Sequence, residues 1–161
     1  MPASFPRIDA ALGACGKQIA ALDPADADSL EIETGLLSHL IVLVVSEYEV
    51  FLEGAFGIRA DRCGDPHVAS YVRNQLERRF RSPDLGKVNE TLGAFGSVYV
   101  AAFRAAVENT PEHAAWDNLI RARHAIVHRQ GTLNMTFREF TSAYPSSVRV
   151  IDHLLASLGI P

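Results

Sequence analysis

One segment leaves this chain little choice of architecture. Leu37, Ile41, Val44, Tyr48, Phe51, Leu52 and Ala55 fall on one face at 100° per residue, the period of a helix. Within it, Leu40 to Val45 is apolar on every side. A helix that is apolar all round needs partners on several sides. The segment therefore predicts a long helix buried on several sides within a helical bundle.

The flanking sequence reads helical almost throughout. A first helix is expected over Ile8 to Ala21, before the Asp23-Pro24 break. Asp28 or Ser29 is expected to cap the long helix, which ends near Ala55. Gly57 to Pro66 reads as a loop, and Pro66 suits the first turn of a third helix to Phe80. Ser82-Pro83-Asp84 opens a fourth, interrupted at Gly93 and Gly96, with helical patterning resuming over Ser97 to Glu108. Thr110-Pro111 is a cap followed by proline at the first helical position, and Gly131 is a stop, so a helix is expected over Pro111 to Arg129. Thr136 caps a short segment to Ala143, and Pro145 starts a last helix to Leu158. No hairpin signal occurs. The expectation is an all-α, single-domain bundle of about five to seven helices, with 1–27 as N-terminal helix and linker and 28–158 as the bundle proper.

Composition narrows the partners. At 161 residues, 48% apolar and 21% charged, the chain can bury a substantial core. Its net charge of −4 argues against coating nucleic acid electrostatically; an RNA ligand would have to meet a local cationic cleft. Cys15 and Cys63 make no disulfide framework. The opening residues hold no apolar signal core, and the run Leu40 to Val45 is too short to span a bilayer. A cytoplasmic protein without a membrane anchor is the expectation.

The chemistry concentrates in the Pro111 helix. Trp116, Leu119, Ile120, Ile126 and Val127 share an apolar sector, and Arg123 falls near its middle. A guanidinium there needs a carboxylate, an opening to solvent or a ligand anion. Beside that sector, Asp117, Arg121, His124 and His128 recur at spacings of four, three and four, forming one polar ridge. His128 lies near the helix C-terminus, where the helix dipole attracts positive charge. Arg123 and His128 are five apart on adjacent flanks, within reach of one phosphate.

Rival readings attach to the same residues. Arg123 could be a structural ion-pair partner, with Glu49 on the long helix as its carboxylate; Glu47 falls on the opposite flank, toward solvent or an interface. His124 and His128 could ligate a metal, but zinc needs further donors and no HExxH or cysteine pattern supplies them, so neither metal nor cofactor is expected. Arg121 and Asp117 could form an exposed ion pair. His113 reads as a surface residue, and Trp116, Phe95 and Phe103 read as core. Arg78, Arg79 and Arg81 could guide RNA or simply solvate a helix end.

Arg123-His124-Ala125-Ile126-Val127-His128 resembles the signature of the HEPN superfamily (higher eukaryotes and prokaryotes nucleotide-binding domains): an arginine and a histidine separated by four to six residues, the first of them commonly polar. Arg121 to His128 would fit the longer spacing; Arg123 is preferred because His124 then supplies the polar residue. The segments SEYEVFLEGAF and RARHAIVHRQG and the break at Phe95-Gly96 are similar to the RiboL-PSP-HEPN subgroup of proposed ribonucleases. In layout the likeness runs from Leu36 to Leu158, and its specific part is Arg123 to Gly131. The resemblance implies a helical homodimer whose motif helices face each other in a composite site. It further implies metal-independent cleavage of RNA by Arg123 and His128, with His124, Arg121, Asp117 and Glu49 binding or orienting the substrate. A toxin or defence role, with an antitoxin or regulatory partner, is also implied. The alternative is a catalytically silent HEPN module that binds nucleotide, RNA or a protein; a plain helical assembly domain is a third reading.

Overall fold

The computed structural model describes residues 2–80, 83–128 and 133–161, with the backbone alone at Arg79. Among these residues there are seven helices and no strand: α1 (Pro6–Ile19), α2 (Ala27–Asp61), α3 (Pro66–Arg79), α4 (Leu85–Phe95), α5 (Ser97–Val107), α6 (Pro111–Val127) and α7 (Phe137–Ser157). The architecture is an all-α bundle. α2 is its axis, packed by α1, α3, α6 and α7, while α4 pairs with α5 and α5 in turn with α7.

Burial explains why α2 is central. Leu37, Leu40, Ile41, Val44, Val45, Tyr48 and Leu52 are all buried, and they belong to one core to which every helix contributes. At 35 residues, with a stretch of mean hydropathy 1.6, α2 has the length and composition of a bilayer-crossing helix. The run Leu40 to Val45 is by itself too short to cross a bilayer, but the hydropathy is spread over several turns of α2. Of that stretch 39% is buried, Leu37, Leu40, Ile41, Val44, Val45, Tyr48 and Leu52 being covered by neighbouring helices while Val50 is exposed.

Aromatic packing sets the level of α6 against α2. The Tyr48 and Trp116 rings stack at 5.0 Å with planes 6° apart. Each polar tip has a partner, as buried polar groups require. Trp116 Nε1 donates to the Pro83 carbonyl at 2.8 Å, and Tyr48 Oη lies 2.8 Å from Ser147 Oγ on α7. Burial pushes the Tyr48 phenol far above its ordinary pKa, so this hydroxyl remains protonated. Ser147 also donates to the Tyr144 carbonyl, and Tyr144 Oη reaches Asp9 of α1. Phe5 and Ile8 are buried too, so α1 belongs to the core and is not an appendage to it.

Local signals set most boundaries, and tertiary burial overrides several. Asp26, not Asp28 or Ser29, caps α2: its carboxylate accepts from the Ser29 N–H, leaving Asp28 in the first turn, where the dipole favours acid. α2 does not stop near Ala55 but runs to Asp61, because Phe56, Gly57 and Ala60 are buried there. Gly57 serves packing rather than breaking the helix: a Cβ on it would lie 2.8 Å from the Arg73 guanidinium of α3. Gly93 stays inside α4, whereas Gly96 at φ 147°, ψ 145° separates α4 from α5 in a conformation open essentially to glycine alone. Asp84 caps α4, while Ser82 lies outside the described residues.

Thr110 caps α6 as its sequence indicates, but α6 ends at Val127 rather than Arg129; Arg129 and the expected stop Gly131 lie outside the described residues. Thr136 and Glu139 form a reciprocal capping box on α7. Pro145 does not start a new helix; it sits inside α7. Its ring is exposed, while Phe140, Tyr144, Ser147 and Ile151 carry the buried face past it. Burial on that side outweighs the lost backbone hydrogen bond on the other.

Two outcomes follow for stability. Gly96→Ala should cost about 1–3 kcal/mol in equilibrium urea unfolding. Thr136→Ala should cost about 1 kcal/mol at neutral pH. Hydrogen bonds from the Thr136 backbone and hydroxyl hold the Glu139 carboxyl below the usual carboxylate range. A depressed folded pKa stabilises above the unfolded value and is lost as pH falls through the folded one. The Thr136→Ala deficit should therefore shrink in acid; a deficit unchanged from neutral pH to pH about 3 would contradict this.

Candidate functional site at the end of helix α6

α6 is apolar where it meets α2 and becomes polar toward its end. Ala115, Trp116, Leu119 and Ile120 are buried. Beyond them Ala122 and Ile126 are partly covered, and Val127, expected in the apolar sector, is exposed. The covered stripe thus ends about where the motif begins.

Arg123 lies two turns after Trp116, roughly 10 Å along the axis. Helical side chains lean toward the N-terminus, so the guanidinium reaches back toward the level of Trp116. There it meets Glu49, the neighbour of Tyr48: Arg123 Nη2 and Glu49 Oε1 are 4.0 Å apart, with 22% and 24% of the side chains exposed. That separation is at the outer limit of an ion pair and too long for a hydrogen bond. Arg123 Nε is buried, and it has no hydrogen-bond partner among the described residues.

His128 is the first residue past the helical conformation, at φ −91°, ψ 4°, and its backbone N–H closes the helix on the His124 carbonyl. Its side chain is exposed, and its ring meets that of His124 edge-on, with centroids 6.1 Å apart. Two imidazoles and the arginine therefore share the last two turns of one helix. Among the described residues, no group of three or more His, Cys, Asp or Glu side chains is placed to hold a metal ion.

The rest of the ridge is arranged differently from its spacing. The Asp117 and Arg121 side chains do not pair. Arg121 donates to the Asp117 backbone carbonyl and to Asn118 Oδ1, at 3.3 and 2.7 Å. The Asp117 carboxylate instead lies 3.4 Å from His113 Nε2. Sequence reading missed this pair, although its i,i+4 spacing on α6 was a usable signal. Glu47, expected in solvent or at an interface, bonds Arg7 of α1 at 2.6 Å. Of the basic cluster, Arg78 is exposed on α3; Arg81 and the Arg79 side chain lie outside what is described.

Among the described residues at the end of α6, Arg123 and His124 are half-buried and His128 is exposed. None of the three main cavities is lined by Arg123, His124 or His128. Comparison with known proteins finds no matching family model, no similar curated protein and no similar solved structure.

A wide, partly exposed pair contributes little to folding. Arg123→Ala and Glu49→Ala should each change unfolding free energy by less than about 1 kcal/mol, with a coupling of the same small size in a double-mutant cycle. A loss of about 3 kcal/mol or more from either would instead mark Arg123 as a structural ion-pair residue.

Proposed function

We propose that the protein is a metal-independent endoribonuclease of HEPN type, acting in the cytoplasm as a homodimer. The observation that carries this reading is Arg123: a guanidinium with a buried, unpartnered Nε–H, only loosely opposed by Glu49, in the same two turns as His124 and His128. Such a group has hydrogen-bonding capacity left for an anion.

The chemistry requires only these side chains. The ribose 2′-hydroxyl attacks the adjacent phosphorus in line, and the bond to the 5′-oxygen breaks. An imidazole, whose unperturbed titration lies near neutral pH, takes the 2′-proton and an imidazolium returns one to the leaving oxygen. His128 fills this role. Arg123 clamps the non-bridging oxygens as charge develops on them. The products are a 2′,3′-cyclic phosphate and a 5′-hydroxyl end. DNA, lacking the nucleophile, is not cleaved.

Arg123, His124 and His128 line none of the three cavities described, so the cleft is completed by a second copy. Support comes from two exposed apolar residues that flank the site, Val50 after Glu49 and Val127 before His128. Two copies of Arg123 and His128 would create a local positive field that the net charge of −4 denies the whole surface. His124 and Arg121 orient substrate at the rim, with Asp117 positioned by His113. In a toxin or defence role, an antitoxin would act by covering this face. The second reading, a silent binding module, is favoured by the proximity of Glu49, which draws Arg123 back toward α2.

An RNase assay on a panel of transcripts decides between them. Wild type should cleave RNA with EDTA present and leave 2′,3′-cyclic ends. Arg123→Ala and His128→Ala should each lose at least about a hundredfold, in line with general acid–base and electrostatic contributions. Binding without cleavage supports the silent module, and activity abolished by chelation removes the metal-free mechanism.

A further inference from the structure

A second concave site lies away from the α6 motif, where the end of α2 meets α3 and α4. It exists because α2 continues past Gly57 to Asp61 and α3 packs back against that extension. The cavity measures about 520 Å³, within the range of small-molecule sites. Its walls are apolar: Val68, Tyr71, Leu76, Phe80 and Phe95. Leu76 and Phe80 are buried, but Val68 and Tyr71, three residues apart on α3, are 47% and 65% exposed. Two large apolar side chains left open beside a concavity are surface that an apolar ligand would remove from water.

The polar lining has a definite sign. Arg59 on the last turn of α2, Arg62 at its C-cap and Lys87 of α4 line it, with Glu90 the one carboxylate among the described lining residues. Each arginine is fixed by a neutral acceptor. Arg59 donates to Tyr99 Oη and lies over that ring, 4.8 Å from its centroid. Arg62 Nη1 donates to the Gly159 carbonyl at 2.8 Å. These contacts position the guanidinium groups without cancelling their charge. In a chain of net charge −4, an excess of fixed cations at the mouth of an apolar pocket is selective for an anion.

We propose that this pocket binds a small amphipathic carboxylate, its hydrocarbon body against Tyr71, Phe80 and Phe95 and its carboxylate held by Arg59 and Arg62. Octanoate is a suitable probe, with octylamine and octanol as cationic and neutral controls of the same length. Titration calorimetry on the full chain should show saturable octanoate binding at least about tenfold tighter than either control. Cys63 lines the pocket and is exposed, so octanoate should slow its alkylation by iodoacetamide and leave the Cys15 rate unchanged. Arg62→Glu should weaken octanoate about tenfold or more and erase the preference over octylamine. Tyr71→Ala, at a largely exposed position, should weaken octanoate and octanol alike; circular dichroism checks that both variants keep their helical content. The proposal is overturned by absence of saturable octanoate binding, by octylamine binding as tightly, or by octanoate affinity unchanged in both folded variants.

Discussion

The bundle is organised by the need to bury α2, and the stacked Tyr48–Trp116 pair is where that need is met most specifically. Apolar burial alone is non-directional, so α6 could slide or rotate against α2 at little cost. Two polar tips remove that freedom. The indole N–H requires the Pro83 carbonyl and the phenol requires Ser147. One ring pair thus fixes α2, α6, α7 and the segment entering α4 in a common register. Arg123 inherits its position from this arrangement, since a helix that presents Trp116 to Tyr48 carries Arg123 to Glu49.

What could be read from the sequence divides along physical lines. Helix starts set by a cap and its own first turn were legible, as at Thr110 and Thr136, because the interactions are local. Gly57 and Pro145 were misread because tertiary contact decides them: one accommodates the Arg73 guanidinium, the other lies on the dry helix's wet side. At the site, Arg123 stood out as a charge in an apolar stripe, and Glu49 as its nearest acid, from periodicity alone. The partner of Asp117 did not, because side chains at two competing i,i+4 spacings choose by geometry that a wheel does not contain. The pocket beside α3 was invisible for a further reason: its walls and cations come from separate helices and converge only when α2 outruns its expected end.

The two candidate sites differ in how they treat charge. At the end of α6 the Arg123 guanidinium faces the Glu49 carboxylate at 4.0 Å, with its Nε–H unpartnered among the described residues, so an incoming anion competes with Glu49. Beside α3 the guanidinium groups are anchored by a phenol and a carbonyl, so an anion there meets cations held by neutral acceptors, with Glu90 as the carboxylate in the same lining. The first arrangement suits a site that must release its product, and the second suits a site that retains a ligand.

The hydropathy of α2 has a consequence for how the chain reaches this fold. Part of its cover comes from α6 and α7, the last two helices in chain order, and the rest from α1 and α3 on either side of it in the chain. During synthesis α2 emerges next to α1 and α3 but well before α6 and α7, the helices that complete its cover. For that interval the nascent chain displays a segment resembling a membrane span to ribosome-associated factors and to its neighbours, which is when such chains are prone to aggregate. The seating of Trp116 against Tyr48 is thus a late step that closes the cover of α2, and a substitution that slows it would prolong that exposure.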